Sequence, residues 1–504
     1  MRPLLRSEWT KFRTIPAWVA AALVAAALIV GFAVMPGLAG TCGDECALPR
    51  GPEGQEVTDT FQFTHRTLTG DGTITARITA FTGERPAENG PPDRRLVPWA
   101  KAGLILKDGT DPGSSYAAVM LTGGHGVRFQ YDFVHDVPGP AGDVRWLRLT
   151  RSGDRVDAAA SADGSTWRAV GSASVPGLPD SVEAGLFTTS PQFSAVSTQV
   201  FGTAGAFGGP SSATAVFDSV ALRGSTSDAR WRTGPVGGLP TDDDQADAPQ
   251  DGTRAGAPGP ESTGREAGGV FTLSGSGDIA PAVSGVNGLG TSLTQTLAGT
   301  FVGLILLVGL GALFVTAEYR RGLIGTTFTA TPIRARVLAA KALVLAGVSA
   351  VLGAVAAAIA VTAGRAMLRG NGVYVNPVPA STELRLIAGT ALLLALCAVL
   401  ALAVGAALRR SAPALVVVLA LTVLPYLLAM TVLPSGASRW VLRITPSAAF
   451  AIQQSAVQYA QVDNLYTPPN GYFPLPPWAG LAVLAAWAAA AFALAVVLVR
   501  KRDA

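Results

Sequence analysis

Charge is scarce in this chain, and lysine is the scarcest charge. Asp, Glu, Lys and Arg make up 14% of 504 residues, and only Lys11, Lys101, Lys107, Lys341 and Lys501 are lysines. None follows a glycine. The Gly-Lys-Ser/Thr end of a Walker A loop, whose lysine reaches the cradled phosphates, is therefore missing, and nucleotide binding by that device is excluded. Cysteine is almost absent as well. Cys42, Cys46 and Cys397 cannot build a disulfide framework, and the pair Cys42 and Cys46 alone makes a poor metal site. His65, His125 and His135 all fall in one region, and nothing in their spacing requires a metal or a pH sensor. No cofactor or metal is expected. A net charge of +4 gives no reason to expect a nucleic-acid partner.

What the chain has in plenty is long apolar sequence. Six runs, at 15–37, 297–317, 338–363, 384–408, 412–433 and 478–499, match the ~20 residues needed to span a bilayer core. Basic residues flank them unevenly. Arg2, Arg6, Lys11 and Arg13 precede the first run, and Arg320, Arg321, Arg334 and Arg336 lie between the second and third. Arg409 and Arg410 lie between the fourth and fifth, and Arg500, Lys501 and Arg502 follow the last. The short loops on the opposite side hold only Arg365, Arg369, Arg439 and Arg443. The positive-inside bias predicts both termini in the cytoplasm and residues 38–296 outside it. Ionisable residues near the runs, Glu318, Arg365, Glu383 and Arg385, stand close to their ends rather than at mid-depth, so no proton relay is visible.

Residues 1–14 predict an interfacial helix, with Leu4, Leu5, Trp9 and Phe12 on one face and Arg2, Arg6 and Arg13 largely opposite. A cleaved leader ending at Gly37-Leu38-Ala39-Gly40 is the competing reading, and the run is long for a leader core. Cys397 falls inside the fourth run and reads as packing. Cys42 and Cys46, four apart in a compartment that permits oxidation, would be bridgeable if the segment is helical.

Over 57–223 the apolar period changes to two. Val127, Phe129, Tyr131 and Phe133 alternate with Arg128, Gln130 and Asp132, and similar strands are separated by Asp71-Gly72, Asp108-Gly109, Ser152-Gly153 and Asp163-Gly164. Many short strands with Gly-containing turns predict an all-β sandwich or barrel. Residues 224–270 are rich in Pro, Gly, Ala and Ser with an acidic patch at Asp242-Asp243-Asp244, and read as a disordered linker between the β domain and the membrane.

Gly103-Leu104-Ile105-Leu106-Lys107-Asp108-Gly109, Trp146-Leu147-Arg148-Leu149, Ser161-Ala162-Asp163-Gly164-Ser165-Thr166-Trp167 and Ala215-Val216-Phe217-Asp218-Ser219-Val220 resemble the concanavalin A-like/laminin G-like jelly rolls of bacterial extracellular proteins. The resemblance implies a jelly-roll sandwich that often binds carbohydrate, with Trp99, Tyr116 and Trp146 as candidate ligand contacts. The same rings at strand spacing also suit a core. Glycosidases of that fold carry a Glu-x-Asp-x-x-Glu run, since an acid and a nucleophile must flank the bond. Glu183 stands alone here, so no hydrolytic activity is expected.

The segment 318–337, with Tyr319, Leu323, Thr327 and Ala330 able to line one helical face, suits docking in a groove of another protein or gripping anionic headgroups. Thr331-Pro332 reads as the start of the next helix. Six spans, the start Leu5-Arg6-Ser7-Glu8-Trp9-Thr10-Lys11-Phe12-Arg13, the loop from Glu318-Tyr319-Arg320 to Lys341, and Pro474-Leu475-Pro476-Pro477-Trp478-Ala479-Gly480 resemble the membrane subunits of actinobacterial ABC-2-type ABC transporters.

That resemblance covers 1–40 and 290–504. It implies a permease subunit in a bacterial cell membrane, a separately encoded ABC ATP-binding subunit as partner, and a second permease copy. It also implies short extracytoplasmic helices in 434–477 and an ATPase-coupling segment at Glu318, Tyr319, Arg320, Arg321, Leu323 and Thr327. The inserted β domain departs from the minimal family pattern and leaves the cargo open. The alternative is a membrane-anchored, carbohydrate-binding receptor without transport. Membrane lipid is a partner under either reading, and an extracellular glycan is a candidate one.

Overall fold

The computed structural model describes residues 1–38, 48–88, 90–198, 204–226, 230–237, 262–283, 291–320, 333–431, 433, 435–462 and 471–502. Within them the apolar runs are helical, as they must be where a backbone has no water to bond. Helices α1 (Arg2–Thr14), α2 (Pro16–Leu38), α3 (Thr300–Arg320), α4 (Arg334–Gly370) and α5 (Ala380–Leu408) are followed by α6 (Ser411–Thr422) and α7 (Leu424–Thr431). Pro425, which lacks an N–H, stands at the break between the last two. Helices α8 (Ser435–Ile444) and α9 (Pro477–Arg502) complete the set. Among the described residues six helical segments, one of them formed by α6 and α7 together (Ser411–Ala429), are long and apolar enough to cross a bilayer, which marks a membrane protein.

Helices α3 and α5 are mostly buried, whereas α2 and α9 mostly face outward. At Gly311 an added Cβ would fall 2.6 Å from the Ala398 carbonyl oxygen, so this glycine lets α3 and α5 approach closely. The described part of α4 begins at Arg334, four residues before the apolar run that announces it, and Thr331 and Pro332 lie outside the described residues. At 37 residues it is ~55 Å long, well beyond a bilayer core.

The β domain is built around one strand. β2 (Phe61–Glu84) pairs in its first half with β10 (Ser181–Thr189) and β14 (Arg232–Val236). Its second half pairs with β7 (Trp146–Ser152) and β13 (Ser212–Thr226). β3 (Lys101–Lys107), β4 (Tyr116–Thr122), β5 (Val127–Tyr131) and β6 (His135–Pro138) extend the sheet beyond β10. β8 (Arg155–Ser161) and β9 (Arg168–Ser174) extend it beyond β7. β15 (Thr263–Ala267) and β16 (Val270–Gly275) follow β13, making 13 strands in this sheet, and β11 (Phe193–Thr198) pairs with β12 (Ala204–Gly209) apart from it.

Leu104, Leu106, Val119, Phe129, Leu149, Leu186 and Phe217 belong to one buried apolar cluster. Ile105, Tyr116, Met120, Phe63 and Phe187 form a second apolar cluster on the other face. β3 is thus buried on both sides along its whole length, including Lys101 and Lys107 at its ends.

Residues 224–270 need a correction. The domain does not end at 223: β13 runs on to Thr226, and β14, β15 and the first residue of β16 all fall in the segment expected to be an unfolded linker. Local composition averaged over Pro and Gly hid the anchors. Val236 is buried, and Trp231 packs edge-on against Phe271 at 5.5 Å. Residues 238–261 are therefore a connection between two strands of one sheet, not a tether between the β domain and the membrane.

The tether is instead a two-stranded ribbon of β1 (Val57–Asp59) and β17 (Ile279–Pro281), the lead-in and exit strands of the domain. Lys107 Nζ donates to Asp59 at 2.7 Å, and Lys101 donates to Asp278 and to the Ile279 carbonyl at 2.8 Å. One strand, β3, clamps both crossings.

Candidate functional site

The densest polar construction in the bundle lies where α1, α3 and α4 meet. Lys341 Nζ donates to Glu8 Oε2 and Glu318 Oε1, both at 2.7 Å. Lys11 Nζ donates to Glu8 Oε1 at 2.7 Å and to Glu318 Oε1 at 3.0 Å. Two carboxylates and two ammonium groups alternate around a closed ring of zero net charge. The Lys341 and Glu8 side chains are each 1% exposed, whereas that of Lys11 is 37% exposed. An apolar wall backs the ring: Lys341 lies 5.0 Å from the Phe314 ring centre, and Phe314 meets Trp18 edge-on at 4.9 Å and Phe12 at 6.1 Å.

Each member is placed by helical spacing. Glu8 and Phe12, four apart, share the buried face of α1. Lys341 lies in the row of buried Leu338 and Leu345 on α4. Isolated burial of any of these charges would cost several kcal/mol, and only mutual pairing makes the arrangement tolerable. The free space beside Lys341, among Val315, Tyr319, Val337 and Leu338, is about 10 Å³. That holds at most a water, so the ring is a joint between helices rather than a ligand site.

Sequence reasoning placed Glu318 in the coupling segment but missed Glu8 and Lys341. On α1 the apolar face expected at the interface is divided: Trp9 is about half exposed and stacks on Phe12 at 6.3 Å, while Phe12 and the ion-paired Glu8 take the buried side. The available signal was Lys341 itself, a lysine well inside a helix whose neighbours along the face are all apolar.

Of the other coupling residues, Tyr319 is half-buried with the Arg409 guanidinium 5.2 Å over its ring, and Arg320 ends α3. Arg321, Leu323 and Thr327 lie outside the described residues, as do Cys42 and Cys46. Cys397 is buried with a free thiol.

Two of the three aromatic contacts expected on the β domain are buried. Tyr116 is fully buried against Phe133 at 4.8 Å, and burial pushes its hydroxyl pKa well up. Trp99 is buried, stacked on His125 at 4.1 Å with Arg128 over its ring. Trp146 is half-buried, with Arg77 lying 5.7 Å over the ring and Gly164, at φ +79°, against it. A Cβ on Gly164 would come within 2.7 Å of the Trp146 indole. Tyr116 and Trp99 thus go into the packing, and Trp146 stays partly open.

The histidines are dispersed as well. His65 bonds Glu183 at 2.6 Å, His135 bonds Glu53 at 2.6 Å, and His125 lies on Trp99. Glu183 also accepts from Thr67 at 2.9 Å and Arg232 at 3.0 Å. Its pKa is lowered: burial opposes the shift, and His65, Thr67 and Arg232 outweigh burial.

No family model matches this chain, and no curated protein does. Among solved structures it is similar to a functionally unknown protein from Saccharomyces cerevisiae at 15% identity. That match covers 32% of this chain and 73% of the other, with a TM-score of 0.17.

Proposed function

We propose that the chain is the membrane-spanning subunit of an ABC-2-type exporter, driven by a separate ATP-binding subunit and assembled as two permease halves. The observation that carries this reading is the charge ring. It fastens the amphipathic α1 to the last turn of α3 and the second turn of α4, the two helices that bracket residues 321–332. A push on that segment would be delivered to three helices at once, which is what a subunit without its own nucleotide site needs. In this reading the termini and the ring are cytoplasmic, and the β domain is a concanavalin A-like/laminin G-like jelly roll outside the membrane that shields or captures cargo. The burial of Tyr116 and Trp99 weakens the rival reading of a sugar-binding receptor.

The test is purification of the intact complex from membranes of the source cell. An ATPase should co-purify, and deletion of residues 319–330 should abolish that while the chain still inserts. An ATPase retained after the deletion removes the coupling assignment, and no ATPase in either preparation favours the receptor.

A further inference from the structure

A cleft of about 520 Å³ opens at the seam between the β domain and the bundle. One wall is the lead-in to the β domain, with Arg50, Gly54 and Glu56, and the other is the turn from α4 to α5, with Arg369, Gly372, Tyr374 and Pro377. The seam is cross-linked rather than loose. The Tyr374 hydroxyl donates to the Gly54 carbonyl, and the Arg50 guanidinium lies 5.0 Å over the Tyr374 ring. Thr291 N–H donates to the Tyr374 carbonyl at 2.9 Å, and Asn376 N–H donates to the Thr291 carbonyl at 3.1 Å.

Two guanidinium groups line this cleft against one carboxylate. Among the described residues neither Arg50 nor Arg369 comes within 4.0 Å of an acid, whereas nearby Arg365 is taken by Glu383 at 2.5 Å. Both arginines also act on one hydroxyl. Burial and Glu56 raise the pKa of Tyr374, and Arg50 and Arg369 pull it down. Arg369 has a structural duty too, since a cation in the last turn of α4 offsets the helix dipole. Arg50 lies at no helix end, and its guanidinium rests on the Tyr374 ring at the cleft wall.

We infer that this seam cleft binds a phosphate-bearing anion through Arg50 and Arg369. A planar guanidinium fork matches phosphate oxygens. The cleft lies where α4 leaves its apolar stretch, so the phosphate can come from a phospholipid headgroup or from a soluble phosphate ester. The inference stands apart from the ATPase reading, since it uses no residue of the charge ring.

The test uses the full-length protein in detergent. Native mass spectrometry would count retained phosphatidylglycerol against phosphatidylcholine, and a thermal-shift titration would use glycerol 3-phosphate. Retention of phosphatidylglycerol over phosphatidylcholine identifies a lipid source, and stabilisation by glycerol 3-phosphate a soluble one. In either arm Arg50→Gln and Arg369→Gln should each weaken binding roughly tenfold, as loss of a charge-assisted hydrogen bond does. Pro377→Glu places a carboxylate on the exposed rim without touching a buried group and should weaken binding similarly, which covers the case of an arginine variant that misfolds. Wild type that prefers neither probe, or binding that Pro377→Glu leaves unchanged, overturns the inference.

Discussion

In the β domain, Lys101 and Lys107 are wholly buried, and each holds one aspartate on the ribbon where the chain enters or leaves. In the bundle, Lys341 is equally buried but shares its two glutamates with Lys11, which is open to solvent on one side. Both junctions use a buried lysine to fasten segments far apart in sequence. They differ in their route to water. A sealed pair can open only by stranding a charge in an apolar interior, so it acts as a permanent clamp. A ring with one wet corner can exchange a partner for water and rearrange, which suits a joint expected to move.

The largest effect is expected at the sealed clamp. Lys107→Met strands Asp59 and should cost about 3–5 kcal/mol, seen as early loss of β-domain protection in urea-dependent proteolysis of the intact chain. Adding Asp59→Leu should recover most of it, because replacing both partners removes the stranded charge. Failure of the double variant to recover would mean that the clamp is not an ion-pair effect.

Lys341→Met should cost less, about 2–3 kcal/mol, since Lys11 still reaches both carboxylates. Melting in detergent measures this, and a double-mutant cycle with Glu8→Gln should return a coupling of about 0.5–3 kcal/mol. A coupling near zero would reduce the ring to a set of neighbours. Lys11→Met should cost about 1 kcal/mol or less, because exposed pairs contribute little. A loss matching that of Lys341→Met would erase the contrast between wet and dry corners.

These contrasts depend on residues that a linear reading handles unevenly. The six spans were plain because about 20 apolar residues in a row have few other uses. The strands of 57–223 were plain because Gly-containing turns separate alternating runs. The ends of β3 were not, since alternation normally sends a lysine to solvent, and the buried role of Lys101 depends on Asp278, 177 residues away. Glu8 is harder still, with its partner Lys341 333 residues distant. The return of the chain through β14, β15 and β16 was hidden because a few anchors such as Val236, rather than average composition, decide where a strand joins an existing sheet.

The smallest predicted effect concerns acid. Asp163 accepts backbone N–H bonds from Thr166 at 2.8 Å and Ser165 at 2.9 Å, which hold its carboxyl far below the usual range. Asp218 is held down by Arg77. A carboxyl depressed in the folded state stabilises fully above its unfolded value, near 4, and that contribution fades as pH falls through the folded one. The β domain should therefore lose stability below about pH 4, and Asp163→Asn should flatten that slope in a pH-dependent melt. Asp59 runs the other way, since burial raises its pKa against the pull of Lys107. An unchanged slope in Asp163→Asn would assign the acid response to other depressed carboxyls such as Asp218 instead of the Asp163 turn.

The most direct test of the bundle joint is ATPase activity of the proposed complex with an ATP-binding subunit in proteoliposomes, comparing wild type with Lys341→Met at equal ATPase occupancy. The account predicts that the ATPase still binds the variant but that its rate no longer responds to the permease. Full stimulation with Lys341→Met would show that force reaches the spans without the ring, and would contradict the account.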